Sequence, residues 1–181
     1  MRSGQLDTPA DVLELTHGLH PATLGWVWVG IRAREGDVAP ARGLRSSAQV
    51  QVRAWWDDSL VPGRYLRAEH RLLLIDDVRD ITGQQVEMQL ACSELIGQPG
   101  EYRAEGQPPR SCRICLIHSA PVVDEAGRVT DYQTRAEVAL IEAGRPQIGD
   151  QLVVGDVTYN VIAYDDGSDD GVVRGLWLEA Q

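Results

Sequence analysis

The chain is predicted to be mostly β, folded as two small domains, and three observations predict this. Stretches rich in Val, Ile, Leu and Trp alternate with polar residues at a period of two, the signature of half-buried strands. Residues 97–111, "GQPGEYRAEGQPPRS", carry three prolines and three glycines without any period and read as a linker. The two halves then lie on each other without gaps at an offset of 86, as an internal duplication would give: Gly63 onto Gly149, Leu66 onto Leu152, Ile75 onto Val161, Leu90 onto Leu176. The expected organisation is a first domain over residues 1–96, the linker, and a second domain over 112–181.

Taken in order, "TPADVLELTHG" supplies Thr8 as a helix cap, Pro9 at the first helical position, Asp11 three residues after the cap and Gly18 as a stop. The same letters alternate loosely as a strand, with Val12, Glu14 and Thr16 on one side; the capping signals favour a short helix. "GWVWVGIRA" (25–33) suits a pleated surface. In "SSAQVQVRAWW" (46–56), Val50, Val52 and Ala54 oppose Gln49, Gln51 and Arg53. "YLRAEHRLLLIDD" breaks at Glu69-His70. "QVEMQLACS" sends Val86, Met88, Leu90 and Cys92 one way and Glu87, Gln89, Ala91 and Ser93 the other. The pattern resumes in "CRICLIH", "RAEVALIE", "QLVV", "VTYNVIAY" and "VVRGLWLEA", with Gly155-Asp156 as a tight turn. The overlay also places Val52 on Val138 and a long loop 34–47 on a long loop 120–133.

With 181 residues, 43% of them hydrophobic and 24% charged, the chain is long enough for one ordinary domain or two small ones. No apolar run approaches the ~18 residues that span a bilayer, and no leader is visible, so a soluble, unexported protein without a membrane partner is expected. Three cysteines fit a reducing compartment. The formal net charge of −10 argues against a general DNA or anionic-membrane binder. The imbalance grows along the chain, with 10 arginines against 13 acids through residue 97 and 7 against 14 beyond it. All 17 basic residues are arginine, a compositional bias first of all.

Candidate chemistry is sparse. "DDGSDDG" (165–171) offers Asp165, Asp166, Asp169 and Asp170, but Gly167 takes the middle position of a would-be calcium loop and no glutamate follows at the required spacing. It reads as an acidic hairpin turn opposite "RDITGQQ" in the first half. Cys112, Cys115 and His118 have a zinc-like look, yet no second cysteine pair exists, and on a strand Cys112 and Cys115 face opposite sides. His17 and His20 flank the expected helix stop, without a carboxylate pattern. No Walker loop, GxGxxG, GxSxG or HExxH occurs. The expectation is a protein that is not an enzyme, with no cofactor and no metal. The first long loop reads as a solvated surface loop whose Arg34, Arg42 and Arg45 are candidates for pairing with phosphate or with acids on another subunit, and Asp124, Glu125 and Arg128 on the second are candidate inter-subunit residues. Trp26, Trp28, Trp55 and Trp56 read mostly as core residues; they are also the candidate subunit-contact aromatics, because adjacent tryptophans on a strand face opposite ways and one of the last pair can then be exposed or covered by a partner.

The run "SSAQVQVRAWWDDSLVPGRYLRAEHRLLLIDDVRDITGQQVEMQLACSE" (46–94) resembles the head–tail joining, or neck, proteins of tailed bacteriophages. An alternating strand leads to a Pro62-Gly63 turn, a short strand, an apolar strand ending in Asp-Asp, and a last strand with the family's Leu-x-Cys pattern at Leu90 and Cys92. "IGDQLVVGDVTYNVIAYDD" is similar to small head-completion and tail-attachment proteins at Gly149, Asp150, Gly155, Tyr159 and Val161. The resemblance implies two SH3-like β-barrels in a structural subunit of a ring, on the order of six or twelve copies. Such a ring joins portal or adaptor protein to a tail terminator or tail-completion protein in the virion, after assembly in the bacterial cytoplasm. It forms a channel through which DNA passes without sequence-specific binding. An acidic lumen would let DNA slide. The alternative is a stand-alone β-barrel module that binds a small ligand or a peptide.

Overall fold

The computed structural model describes residues 6–33 and 43–181. It is mostly β, in two compact units, with Pro21–Leu95 falling in the first and Ile96–Gln181 in the second. The first unit holds β1 (Thr8–Leu15), β2 (Pro21–Ala33), β3 (Arg45–Trp55), β4 (Tyr65–Ala68), β5 (Arg71–Asp80) and β6 (Glu87–Leu95). These close in the order β1-β2-β3-β6-β5-β4, every pair antiparallel. Closure leaves no unpaired edge. The second unit holds β7 (Gln98–Arg103), β8 (Arg110–Val123), β9 (Val129–Ala139), a one-turn helix α1 (Leu140–Ala143), β10 (Gln151–Val154), β11 (Val157–Asp165) and β12 (Val173–Ala180). Its ring, β7-β8-β9-β12-β11-β10, repeats the first strand for strand.

The repetition extends to register. Val12 faces Leu66 across β1–β4, and Tyr102 faces Leu152 across β7–β10. Ile75 pairs with Cys92 and Val161 with Leu178, and in both barrels the next residue is a bulge, between Ile75 and Asp77 and between Val161 and Ala163. A bulge at the same step of the same strand is a positional feature that β-patterning alone does not impose. The turn into the fourth strand is also shared: Gly63 N–H donates to the Ile75 carbonyl at 2.9 Å and Gly149 N–H to the Val161 carbonyl at 2.8 Å, with φ of +88° and +97°. Glycine is needed at both, since that backbone conformation crowds a Cβ. The expected duplication therefore describes the fold, with one adjustment. Val52 pairs with Leu90, and the residue paired with Leu176 is Ala136, so Ala136 rather than Val138 is the counterpart of Val52.

Alternation fills both interiors. Val50, Val52 and Ala54 of β3 and Met88, Leu90 and Cys92 of β6 are buried around Val12, Leu66 and Ile75. Ile114, Val138, Leu152, Val161 and Leu176 do the same in the second barrel. Val86, expected to share the inward face of β6, lies just ahead of that strand and is exposed.

Three expectations are corrected. The capping letters at Thr8-Pro9 do not start a helix. Residues 8–15 form β1, because Ala10 and Val12 can be buried against β2 and β4 while Pro9, turned outward, lies where its missing N–H is tolerated. The stretch 97–111 is not simply a linker, since it contains β7, and Ile96 already belongs to the second unit. Gly100 belongs there for a packing reason: a Cβ at that position would stand 2.6 Å from Ile114 Cδ1 and 2.7 Å from the Val153 carbonyl. The stretch 120–133 is not a long loop either. Ala120 pairs with Gln133, Pro121 with Tyr132 and Val122 with Asp131, so β8 and β9 continue as a ribbon to a turn at 124–128.

Candidate functional site

The outer wall of the first barrel carries the most distinctive surface. Val29 and Ala54 pair across β2–β3 and point inward, so Trp28 and Trp55, one step away on each strand, point outward on neighbouring strands. Trp26 stands two residues before Trp28 on the same face. The two indoles meet edge to face, with ring centroids 5.7 Å apart and planes at 81°. Leu24 is the extra residue of a bulge in β2 opposite Val12 and Leu13. Trp26 is 61% exposed, Trp28 45%, Trp55 60% and Leu24 43%. Trp56 turns the other way, packs against the core and donates from Nε1 to Asp58 at 3.1 Å. The expectation that most of the four lie in the core is corrected: three point outward and only Trp56 packs inward.

Charge frames this wall. Asp11 pairs with Arg67 at 2.9 Å beside Trp26, and Arg53 pairs with Glu87. Arg32 continues the outward face of β2 beyond Gly30 and is exposed. Among the described residues it has no carboxylate partner.

The other candidates are dispersed. Arg34 and Arg42 lie outside the described residues. Arg45 is paired with Asp76 at 3.0 Å, and Asp76 also accepts from Ser93 Oγ at 2.6 Å, so this arginine is tied to its own barrel. Asp124 closes the β8–β9 turn, accepting from Ala126 N–H at 2.9 Å and Arg128 N–H at 2.8 Å. Glu125 and Arg128 are exposed on that turn.

The acidic hairpin is occupied with its own structure. Asp165 pairs with Arg135 at 2.5 Å and Asp169 with Arg174 at 3.2 Å, while Asp170 accepts from the Val172 and Val173 N–H groups at 2.9 Å. Arg174 also stacks over the Tyr164 ring at 4.5 Å. Asp166 lies in a short 3-10 turn, Asp166–Ser168. The segment folds back so closely that a Cβ on Gly175 would meet Ser168 Oγ at 1.9 Å. These are the contacts of a packed turn connecting β11 and β12.

Cys92 and Cys112 are buried core groups, and desolvation, with smaller contributions led by Asp76 and Glu142 respectively, pushes each thiol up to about 12. Cys115, on the other face of β8, is raised by burial first and then by Glu137. High thiol pKa values suit packing and oppose nucleophilic use. No group of three or more His, Cys, Asp or Glu that could hold a metal is present among the described residues. One buried polar pair has no counterpart in the first barrel: Tyr102 donates to Asp150 at 2.5 Å, and Asp150 also accepts from Gln147 N–H at 2.7 Å. The equivalent positions there are Val12 and Arg64.

Sequence reasoning named the tryptophans but not their company, Leu24 and Arg32. The period of β2 placed Arg32 on their face, whereas the bulge that turns Leu24 outward had no sequence signal. No protein-family model, curated protein or solved structure matches this chain.

Proposed function

We propose that this protein is a structural neck subunit of a tailed bacteriophage, assembling as a ring that joins the portal side of the head to the tail and surrounds the DNA path. The observation that carries the reading is the exposed wall of Trp26, Trp28 and Trp55 on a barrel that is otherwise closed. Large aromatic side chains grouped on one face are costly to leave in water and are typical anchors of protein interfaces. The residues that resemble neck proteins, 46–94, form four strands adjacent in one barrel wall, β3-β6-β5-β4, with Leu90 and Cys92 both pointing inward. A net charge of −10 suits a conduit that must not hold the DNA backbone.

The test is the mass of the purified protein by light scattering, alone and mixed with candidate portal protein. A closed ring, or a complex of many copies on the portal, is expected. A monomer that ignores the portal would contradict the reading and favour a stand-alone binding module.

A further inference from the structure

The contact that would build such a ring can be named, on the premise of the proposed function. A ring needs a heterologous contact between two different surfaces, since a self-complementary patch stops at a dimer. The first surface is the tryptophan wall. With the exposures given above, its three indoles present roughly 400 Å² to solvent. That is about half of the ~800 Å² per partner in a standard interface.

The second surface is the β8–β9 ribbon. Past Ile117 the register shifts and Ser119 adopts φ +55°, after which the two strands pair only with each other. A two-stranded ribbon is marginally stable by itself in water. This one nevertheless exposes Val123 at 58%, Val129 at 50% and Tyr132 at 64%. Its turn and flanks carry Asp124, Glu125 and Asp131 against Arg128, a net acidic charge. The tryptophan wall ends in Arg32, which has no carboxylate partner among the described residues, so the two surfaces match in charge as well as in apolar character. We infer that the β8–β9 ribbon of one copy docks on the Trp26–Trp28–Trp55 wall of the next copy, with its acidic turn towards Arg32.

The test uses two full-length variants that each disable one side, Trp26→Ser/Trp28→Ser on the wall and Val129→Asp/Tyr132→Asp on the ribbon. All four positions are exposed, and circular dichroism checks that both variants remain folded. In sedimentation velocity each variant alone should be monomeric, with self-association weakened at least about 30-fold, the loss a single hot-spot aromatic carries. Mixed, they should form a dimer and nothing larger, because only one competent wall and one competent ribbon remain between them. If the double ribbon variant misfolds, Tyr132→Ser alone should weaken assembly at least about tenfold. A ribbon variant that assembles like the wild type, or a mixture that stays monomeric, overturns the proposed contact and leaves the ring standing. A wild type that remains monomeric both alone and with portal protein overturns the ring reading and this contact together.

Discussion

The β2–β3 wall of the first barrel and the β8–β9 wall of the second occupy the same place in the same strand order, and they are finished differently. Where the first carries Trp26 and Trp28, the register places Ser111 and Arg113 in the second. Arg113 is held by Glu142 of α1, which accepts from the Arg113 backbone N–H at 2.9 Å and from Nε at 3.0 Å. Trp55, exposed at the end of β3, is answered by Ala139, buried next to α1. The inward residues show the reverse economy of change. Ala10 and Val29 line the first barrel where Gly100 and Ile114 line the second, so a methyl group lost on one strand is regained on its neighbour. A closed interior must keep its volume, whereas an outward position answers only to solvent or to a partner. The difference teaches which face of each copy was free to specialise: in the first barrel it became aromatic and open, and in the second it was sealed by ion pairs and a helical turn.

The largest expected effect tests the shared interior. Leu66 and Leu152 are fully buried at matching positions. Leu66→Ala and Leu152→Ala should each cost about 2–5 kcal/mol, read by urea unfolding with segment-resolved hydrogen exchange. Unequal losses, with one near zero, would break the equivalence of the two cores. Next, Gly100→Ala should destabilise the second barrel by about 1–3 kcal/mol, because the added methyl meets Ile114 and the Val153 carbonyl. Adding Ile114→Val should recover part of that loss, and a neutral Gly100→Ala would refute the volume exchange.

Alkaline pH sharpens the comparison further. Cys92 and Cys112 hold their protons to about 12 when folded, whereas an unfolded thiol ionises near ~8.5. Their contribution is complete below that unfolded value and declines as pH rises through the interval, by at most about 1.4 kcal/mol per pH unit for each thiol. In the second barrel Tyr102 adds to the decline above pH ~10, because burial and then the Asp150 hydrogen bond raise it above its ordinary value. Cys92→Ala should flatten the profile of the first barrel alone, and Tyr102→Phe should remove the added steepness of the second. The smallest effect is a control on the open surface: Arg79→Ala, which breaks an exposed pair with Asp77, should change stability by less than about 0.5 kcal/mol.

Much of this comparison was legible as letters, and the exceptions have physical causes. Gly63 and Gly149 announced the repeat because a turn with positive φ leaves few alternatives to glycine. Alternation in β3 and β6 was readable because one face is buried and the other is wet. Thr8-Pro9 misled because local capping signals cannot register the pairing of Ala10 and Val12 with strands far along the chain. Residues 98–103 looked like a linker because the proline and glycine that break a pattern also suit a strand where another backbone approaches closely, as Val153 does at Gly100. The ribbon at 120–133 reads as a loop because beyond Ala120 neither of its faces is buried, so its sequence has no period to show. The tryptophans read mostly as core because large apolar residues usually are, and only the register between β2 and β3 sets three of them together on the outer face.

The most direct measurement is oxidative footprinting of the tryptophans by mass spectrometry, comparing dilute protein with protein assembled at high concentration or on portal protein. The account predicts strong protection of Trp26, Trp28 and Trp55 on assembly, with Trp177 of the second barrel unchanged. Equal oxidation of the three wall tryptophans in both states would contradict it.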